Sequence, residues 1–569
     1  MDCASSLLIL PANASGEICV SNEGLSFWGG VDPESGTVID AHHPLHGVCL
    51  AGKVVLMPTS RGSCSGSGVL LELALNGKAP AALVFREEEE VLTLGALIAA
   101  EMFDCPLAVV RLNAADHGAL ALHDHAALRG TTLTADGLRI DLRTVTQADL
   151  TLSAADQRML DGEAGKATAL AMKVLCTMAA AQGAQRLIDV TRGHIDGCIY
   201  AHPANLRFAR TMADMGAQVC IPTTINAISV DRENWIAQGL PPRLGQPASA
   251  LADAYVEMGA RPTFTCAPYL AEDRPALGED IGWSESNAVI FANSVLGART
   301  AKHPDYFDLF VAMTGRAPET GVYLLHNRHP EMIIDVDAPA QADDAFWPLL
   351  GWIAGRHAPD CIPVIRGVAH LNPNADDLRA LCAAFGTTSA APMLHVQGVT
   401  PEADLPTANS APHFRVTAAA LAAGWDALNT GPNKIDLVAL GSPHLSLAEV
   451  RRFAALMAGE TCHNGTSVIL TLGRDIRAQA QHEGLVDILQ KAGATLLSDL
   501  CWCSITEPLF PPQTRSLMTN SGKYAHYAPG LSGRSVRFGS LEACAIAAQT
   551  GRAPTKQPDW LTQDTADTL

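Results

Sequence analysis

Short apolar runs separated by turns open the chain: "LLILP", "KVVLMP", "AALVF" and "LAVVRL" punctuate its first 140 residues. Such runs, bounded by Gly, Pro and polar clusters, read as buried strands. Two helical stretches accompany them, one after a Ser/Gly turn near residue 60 and one before Cys105. Residues 1–140 are therefore predicted to form a small β/α domain. "TADGLRIDLRTVTQADL" (134–150) reads as a connector. Ser153, with Asp156 three residues on, forms a helix-start pattern that predicts a long alanine-rich helix. From 150 to 569, apolar runs ("RLIDVT", "AQVCIPTT", "RPTFTC", "AVIFANS", "VYLLH", "APMLHV", "IDLVAL", "SVILTL", "ATLLSD") alternate with helical patterns. That alternation predicts α/β layers with buried strands. "REEEEV" (86–91) reads as a solvated charged face.

Length changes this picture only by requiring more than one domain: 569 residues exceed what one core usually serves. Charge changes it more. The net charge of −20 excludes nucleic acid and anionic membrane as natural partners and points to a small-molecule substrate. Met1–Asp2 opens without a basic n-region, "SLLIL" is too short for a signal core, and Lys173 interrupts the richest apolar run. A cytoplasmic protein without a membrane span is expected. Fifteen cysteines are then thiols or metal ligands rather than a disulfide framework. Cys3, Cys176, Cys220, Cys382 and Cys544 sit in apolar runs and read as small buried hydrophobes. His42, His43, His46, His123 and His125 read as loop histidines rather than a metal site.

The Ser/Gly turn, "TSRGSCSGSGVLLELAL" (59–75), carries candidate chemistry. A phosphate loop needs Lys and Ser/Thr after its last glycine, and Gly68 is followed by Val69. The dinucleotide pattern fails as well, because Gly66-Ser67-Gly68 continues into Val-Leu-Leu. A nucleophile elbow would place Cys64 at the centre of Gly62–Gly66, so a cysteine or serine hydrolase stays open. The remaining reading is a strand-to-helix turn whose N–H groups, with Arg61, stabilise negative charge on a serine or a bound carboxylate. That would make a serine a competent base.

Six further segments place polar groups after an apolar strand, where open α/β sheets gather ligand loops. They are "GHIDGC" (His194, Asp196, Cys198), "IPTTINAIS" (Thr223, Thr224, Asn226), "TCAPYL" (Cys266), "ALGSPHLS" (Ser442, His444), "SDLCWC" (Cys501, Cys503) and "TNSGKYAHY" (520–527). Together they suggest one shared pocket. Cys266, Cys361, Cys501 and Cys503 are spaced wrongly for a zinc ribbon or a bacterial ferredoxin run. Thiolates gathered by folding suit a catalytic iron–sulfur cluster with three protein ligands and one open iron. A fully ligated redox cluster is the competing metal reading.

These segments, with "GWSESNAVIFANSVLGART" and the R-G-S-x-x-G-S turn at 61–67, resemble the aconitase X family over nearly the whole chain. The resemblance implies a large aconitase-like α/β/α catalytic domain (150–569) behind a small swivelling β/α domain (1–140). It implies a hydro-lyase that removes a proton beside a carboxylate and expels the neighbouring hydroxyl as water, with an iron–sulfur cluster as Lewis acid. The swivelling turn would bring the base over the cluster. Archaeal members split the two domains into subunits and dehydrate mevalonate 5-phosphate. The fused, monomeric type dehydrates cis-3-hydroxy-L-proline and carries a 2Fe–2S cluster. On this resemblance Ser63 is the base, aided by Arg61, with Ser67 a binding partner. His194, Asp196, Thr223, Asn226, Ser286, Asn287, Asn520, Ser521 and Lys523 would bind the substrate. The archaeal G-C-P-H is here "GSPH", so Ser442 replaces a cysteine. Cys266 and Cys501 would hold the cluster, and either Cys361 or Cys503 is the third ligand.

Overall fold

The computed structural model describes residues 5–562, and Cys3 and the opening Met1–Asp2 lie outside them. The chain groups into two compact units. Unit 1 holds residues 1–223, 254–260 and 303–320, and unit 2 holds 224–253, 261–302 and 321–569.

In unit 1 the apolar runs become β1 (Leu7–Leu10), β2 (Ala14–Val20), β3 (Val54–Met57), β4 (Ala82–Phe85) and β5 (Ala108–Arg111). With β6 (His125–Arg129), β7 (Thr132–Ala135), β8 (Leu138–Asp141) and β9 (Arg143–Thr144) they form one sheet, ordered β8-β7-β6-β2-β3-β4-β5-β1-β9. Its centre, β2 to β5, is parallel. The four-residue β3 and β4 are wholly buried, as continuous apolar runs require. Helices α1 (Gly66–Leu75) and α2 (Val91–Phe103) pack against each other within this unit.

The stretch expected as a connector instead supplies β8 and β9, and β9 pairs parallel with β1. "REEEEV" is not a plain solvated face either. Glu89 accepts the Leu92 and Thr93 N–H groups at 2.7 and 2.8 Å and so caps the start of α2. Ser153 and Asp156 do form a capping box, but it starts the two-turn α3 (Ala154–Leu160); the alanine-rich α4 begins separately, at Lys166, and runs to Ala181.

Unit 2 contains two all-parallel sheets. One, ordered 395–396, 363–366, 332–336, 413–416, is packed by helices Phe346–His357 and Ala375–Thr388. The other, ordered 495–497, 467–471, 437–440, 516–519, 535–538, has its own core around Val438, Leu470 and Phe453. "ALGSPHLS", "SDLCWC" and "TNSGKY" all emerge at the carboxyl ends of this second sheet. No described helix is long and apolar enough to cross a membrane. Cys176, Cys382 and Cys544 are buried as expected, whereas Cys220 is exposed.

Candidate active site

Three thiols meet in unit 2. Cys501 and Cys503 follow the strand Thr495–Leu497. Cys266 follows the segment 263–265, which is tied to Ile225 through the Thr263 hydroxyl and the Thr265 N–H. Cys266, Cys501 and Cys503 pack together with Ala227. Backbone donors add to this: His444 N–H reaches Cys266 Sγ at 3.3 Å and Cys503 N–H reaches Cys501 Sγ at 3.4 Å. The two neighbouring thiols hold Cys501 well below the usual thiol value and are themselves pushed up.

A buried ion pair stands beside the thiols. Lys523 Nζ donates to Glu285 Oε1 at 2.9 Å. Asn287 donates to the same oxygen at 2.5 Å, and Asn226 donates to Oε2 at 3.0 Å. Burial acts to raise the Glu285 carboxyl, but Lys523 and the two amides outweigh it and bring it down to about 2. Burial likewise opposes the Lys523 charge, and Glu285 and the thiols restore it. Asn287 also donates to Cys266 O at 3.1 Å and accepts the Tyr269 hydroxyl at 2.7 Å, so it couples the ion pair to the thiol segment. Ser521 caps the helix Gly522–Ser532 by accepting the Tyr524 N–H, and its hydroxyl donates to Ser442 O. Asn520 and Ser286 are half-buried.

Iron–sulfur clusters take thiolates whose sulfurs accept N–H bonds, and their potential is tuned by nearby charge. Cys266 and Cys501 fit that group on these grounds, and Cys503 packs against them. Cys361 does not join them. It precedes the strand Pro363–Arg366 at its amino end, packs on the main core of unit 2, and has Asp360 and Glu331 as charged neighbours. The strand-end position that suits a ligand loop belongs to Cys503.

Unit 1 carries the serine turn. Gly62 has φ +92, and a Cβ there would lie 2.4 Å from Ser26 Oγ, so the turn needs glycine. Ser63 is half-buried; its Oγ accepts the Ser65 N–H at 3.3 Å and lies 3.3 Å from Ser65 Oγ. Arg61 is exposed and faces Glu23 (3.6 Å) and Asp40 (3.8 Å). Ser67 is fully buried, with its hydroxyl directed at Cys64 O (3.0 Å) and Asp305 O (3.3 Å). That explains why the structure gives it no open hydroxyl to offer a substrate. Cys64 turns inward, and its thiol donates to Asp196 Oδ2 at 3.3 Å. Cys64 Sγ and carboxylate oxygens of Asp196 and Asp305 lie within 4.8 Å of one another.

The expected substrate residues are thus divided. Asn226, Ser286, Asn287, Asn520, Ser521 and Lys523 belong to unit 2; His194, Asp196 and Thr223 belong to unit 1 and are buried there. Thr223 Oγ1 donates to Ile221 O at 2.8 Å, a bond internal to its own turn. Sequence reasoning missed Glu285, although it stands in the quoted "GWSESNAV". An acid next to a Ser-Asn helix start was the available signal.

An α/β protein with a β-rich amino-terminal domain, parallel sheets and a strand-end thiol centre is the class these features define. Family models match it throughout: the Aconitase X swivel domain at 5–134, first domain at 149–326, second domain at 330–426 and third domain at 435–550. The chain belongs to the aconitase X family. It is 49% identical to cis-3-hydroxy-L-proline dehydratase of Pseudomonas aeruginosa, over 98% of each chain. It is 32% identical to the phosphomevalonate dehydratase large subunit of Methanothermobacter thermautotrophicus, over 67% of this chain and 94% of that one. The crystal structure of Thermococcus kodakaraensis aconitase X in its holo-form superposes with a TM-score of 0.63 at 29% identity, covering 70% of this chain and all of that one.

Proposed function

We propose that this chain is a hydro-lyase that dehydrates cis-3-hydroxy-L-proline. The observation that carries the substrate is the full-length likeness to a dehydratase of that name, spanning swivel and catalytic domains alike. The reaction removes the C2 proton and the C3 hydroxyl, which leaves as water; the resulting enamine tautomerises to a pyrroline-2-carboxylate.

Cys266, Cys501 and Cys503 would hold an iron–sulfur cluster, and Ser442, where the archaeal G-C-P-H pattern has a cysteine, favours the 2Fe–2S form. When bound, the cluster supplies a Lewis acid for a substrate oxygen. Lys523, kept charged by Glu285, supplies the cation for the substrate carboxylate, with Asn520 and the helix start at Ser521–Gly522 as further donors. Ser63 takes the C2 proton at Oγ, and the Ser65 N–H already directed at that oxygen stabilises the charge. Arg61 adds positive potential, reduced by Glu23 and Asp40. The fusion of swivel and catalytic domains supports action as a single chain.

Rates on cis-3-hydroxy-L-proline, its trans isomer and mevalonate 5-phosphate test the reading. The cis isomer is expected to be fastest. Faster turnover of mevalonate 5-phosphate would overturn the substrate, and equal rates on both proline isomers would overturn a base fixed on one face of the ring.

A further inference from the structure

The turn that carries Ser63 is held from behind. Cys64 lies between Ser63 and Ser65, yet its side chain points the other way, into the buried interior of unit 1. There its thiol meets Asp196, whose backbone is itself fixed. The Asp196 N–H donates to Asp308 Oδ2 at 2.6 Å, the Gly197 N–H donates to the same oxygen at 3.3 Å, and Gly197 O accepts the Tyr255 hydroxyl at 3.0 Å. On the helix side, Gly68 packs so closely on Tyr306 that a Cβ would stand 2.8 Å from the Tyr306 hydroxyl. Tyr306 holds φ +79, a costly conformation for a bulky residue that only firm packing maintains.

One peptide plane connects this layer to the base. The carbonyl of Cys64 and the N–H of Ser65 belong to the same planar unit and point in opposite directions. Ser67 Oγ, shared with Asp305 O, holds the carbonyl end. The N–H end donates to Ser63 Oγ. The thiol–carboxylate contact fixes the Cα at which that plane begins. Any rotation of the plane would swing the N–H off the oxygen where charge develops.

We propose that Cys64, Asp196 and Ser67 are positioning residues for the base: together they orient the Cys64–Ser65 peptide so that its N–H stabilises the deprotonated Ser63. This rests on the reading of Ser63 as base. It moves Ser67 and Asp196 from contact with substrate to support of the turn. It also gives Cys64, which occupies a position free in the R-G-S-x-x-G-S pattern, a role outside any metal site.

The test is a mutant cycle in the iron-loaded enzyme, with iron content measured for every variant. Cys64→Ala and Ser67→Ala should each lower kcat about 10- to 100-fold, the loss typical of a misdirected donor, with KM and iron unchanged. Cys64→Ser, which still offers a donor to Asp196, should recover most of the rate. In a Ser63→Ala background, Cys64→Ala should cost nothing further, because the N–H then has no oxygen to stabilise. Wild-type kcat in both Cys64→Ala and Ser67→Ala overturns the proposal while leaving Ser63 as base. An undiminished loss in the Ser63→Ala background overturns it too, since a purely structural role would give that result. Wild-type turnover in Ser63→Ala alone would instead remove the base reading, and the proposal with it.

Discussion

In unit 2, Glu285 is buried with Lys523 and two side-chain amides around it, and its carboxyl falls to about 2. In unit 1, Asp308 is also buried and accepts three backbone N–H bonds, yet burial and the neighbouring Asp305 raise it to about 7. Both are carboxyl groups and both are buried; the neighbours differ. A nearby ammonium outweighs desolvation, and a nearby carboxylate adds to it. The two regions suit different work. Under the proposed function, the centre in unit 2 uses permanent charges to hold thiolates and a substrate carboxylate, whereas the layer under the serine turn uses a rigid set of acceptors.

The comparison breaks most visibly at the thiols. Cys266→Ala, Cys501→Ala and Cys503→Ala should each abolish iron, acid-labile sulfide and turnover together, because each removes a sulfur from the Cys501 centre. Cys361→Ala should keep all three, since that thiol stands at the opposite kind of strand end. Iron and sulfide analysis after anaerobic purification decides it. A bleached Cys361→Ala with a coloured Cys503→Ala would reverse the ligand assignment.

The ion pair comes next. Lys523→Met leaves Glu285 buried without its cation and should destabilise the fold by about 3–5 kcal/mol. Adding Glu285→Gln should restore most of that stability, since removing both charges costs less than stranding one. Denaturant unfolding of the two single variants and the double variant measures the coupling. Additive losses would mean that Lys523 and Glu285 are not a pair in solution.

Such a pair shows where sequence reading reaches its limit. The strand-end positions of Cys501 and Lys523 were readable, because apolar runs mark strands and polar residues after them mark ligand loops; "RPTFTC", expected as a strand before Cys266, forms none. Gly62 was readable as part of a turn. The choice between Cys361 and Cys503 was not, since it depends on which end of a strand each one occupies. Glu285 lies 238 residues from Lys523, and its place beside a Ser-Asn helix start does not reveal that it is buried or which cation it meets. The Cys64–Asp196 contact spans 132 residues and joins a turn to a strand-end loop. β8 and β9 read as a connector in the sequence because they are short, edge-lying and half polar, which leaves almost no apolar period to detect.

The smallest expected effect separates Glu285 from Asp308 by the sign of a slope. Glu285 has a folded pKa of about 2, below its ordinary value, so the unfolded chain binds more protons between these limits. Its contribution to stability is complete above the ordinary carboxyl range and is lost as pH falls toward 2. Asp308, raised to about 7, behaves in the opposite way. The folded chain holds the extra proton, so this contribution is complete below the ordinary carboxyl range and is lost as pH rises toward 7. Each group alone contributes at most about 1.4 kcal/mol per pH unit. Unfolding free energies measured from pH 3 to 8 should therefore show Glu285→Gln flattening the acid limb and Asp308→Asn flattening the decline toward neutrality. The difference from the parent slope is the quantity to read, because either substitution also shifts absolute stability by altering hydrogen bonds. If Asp308→Asn leaves the slope between pH 4 and 7 untouched, Asp308 is ionised throughout that range, and the contrast between the two buried carboxyls disappears.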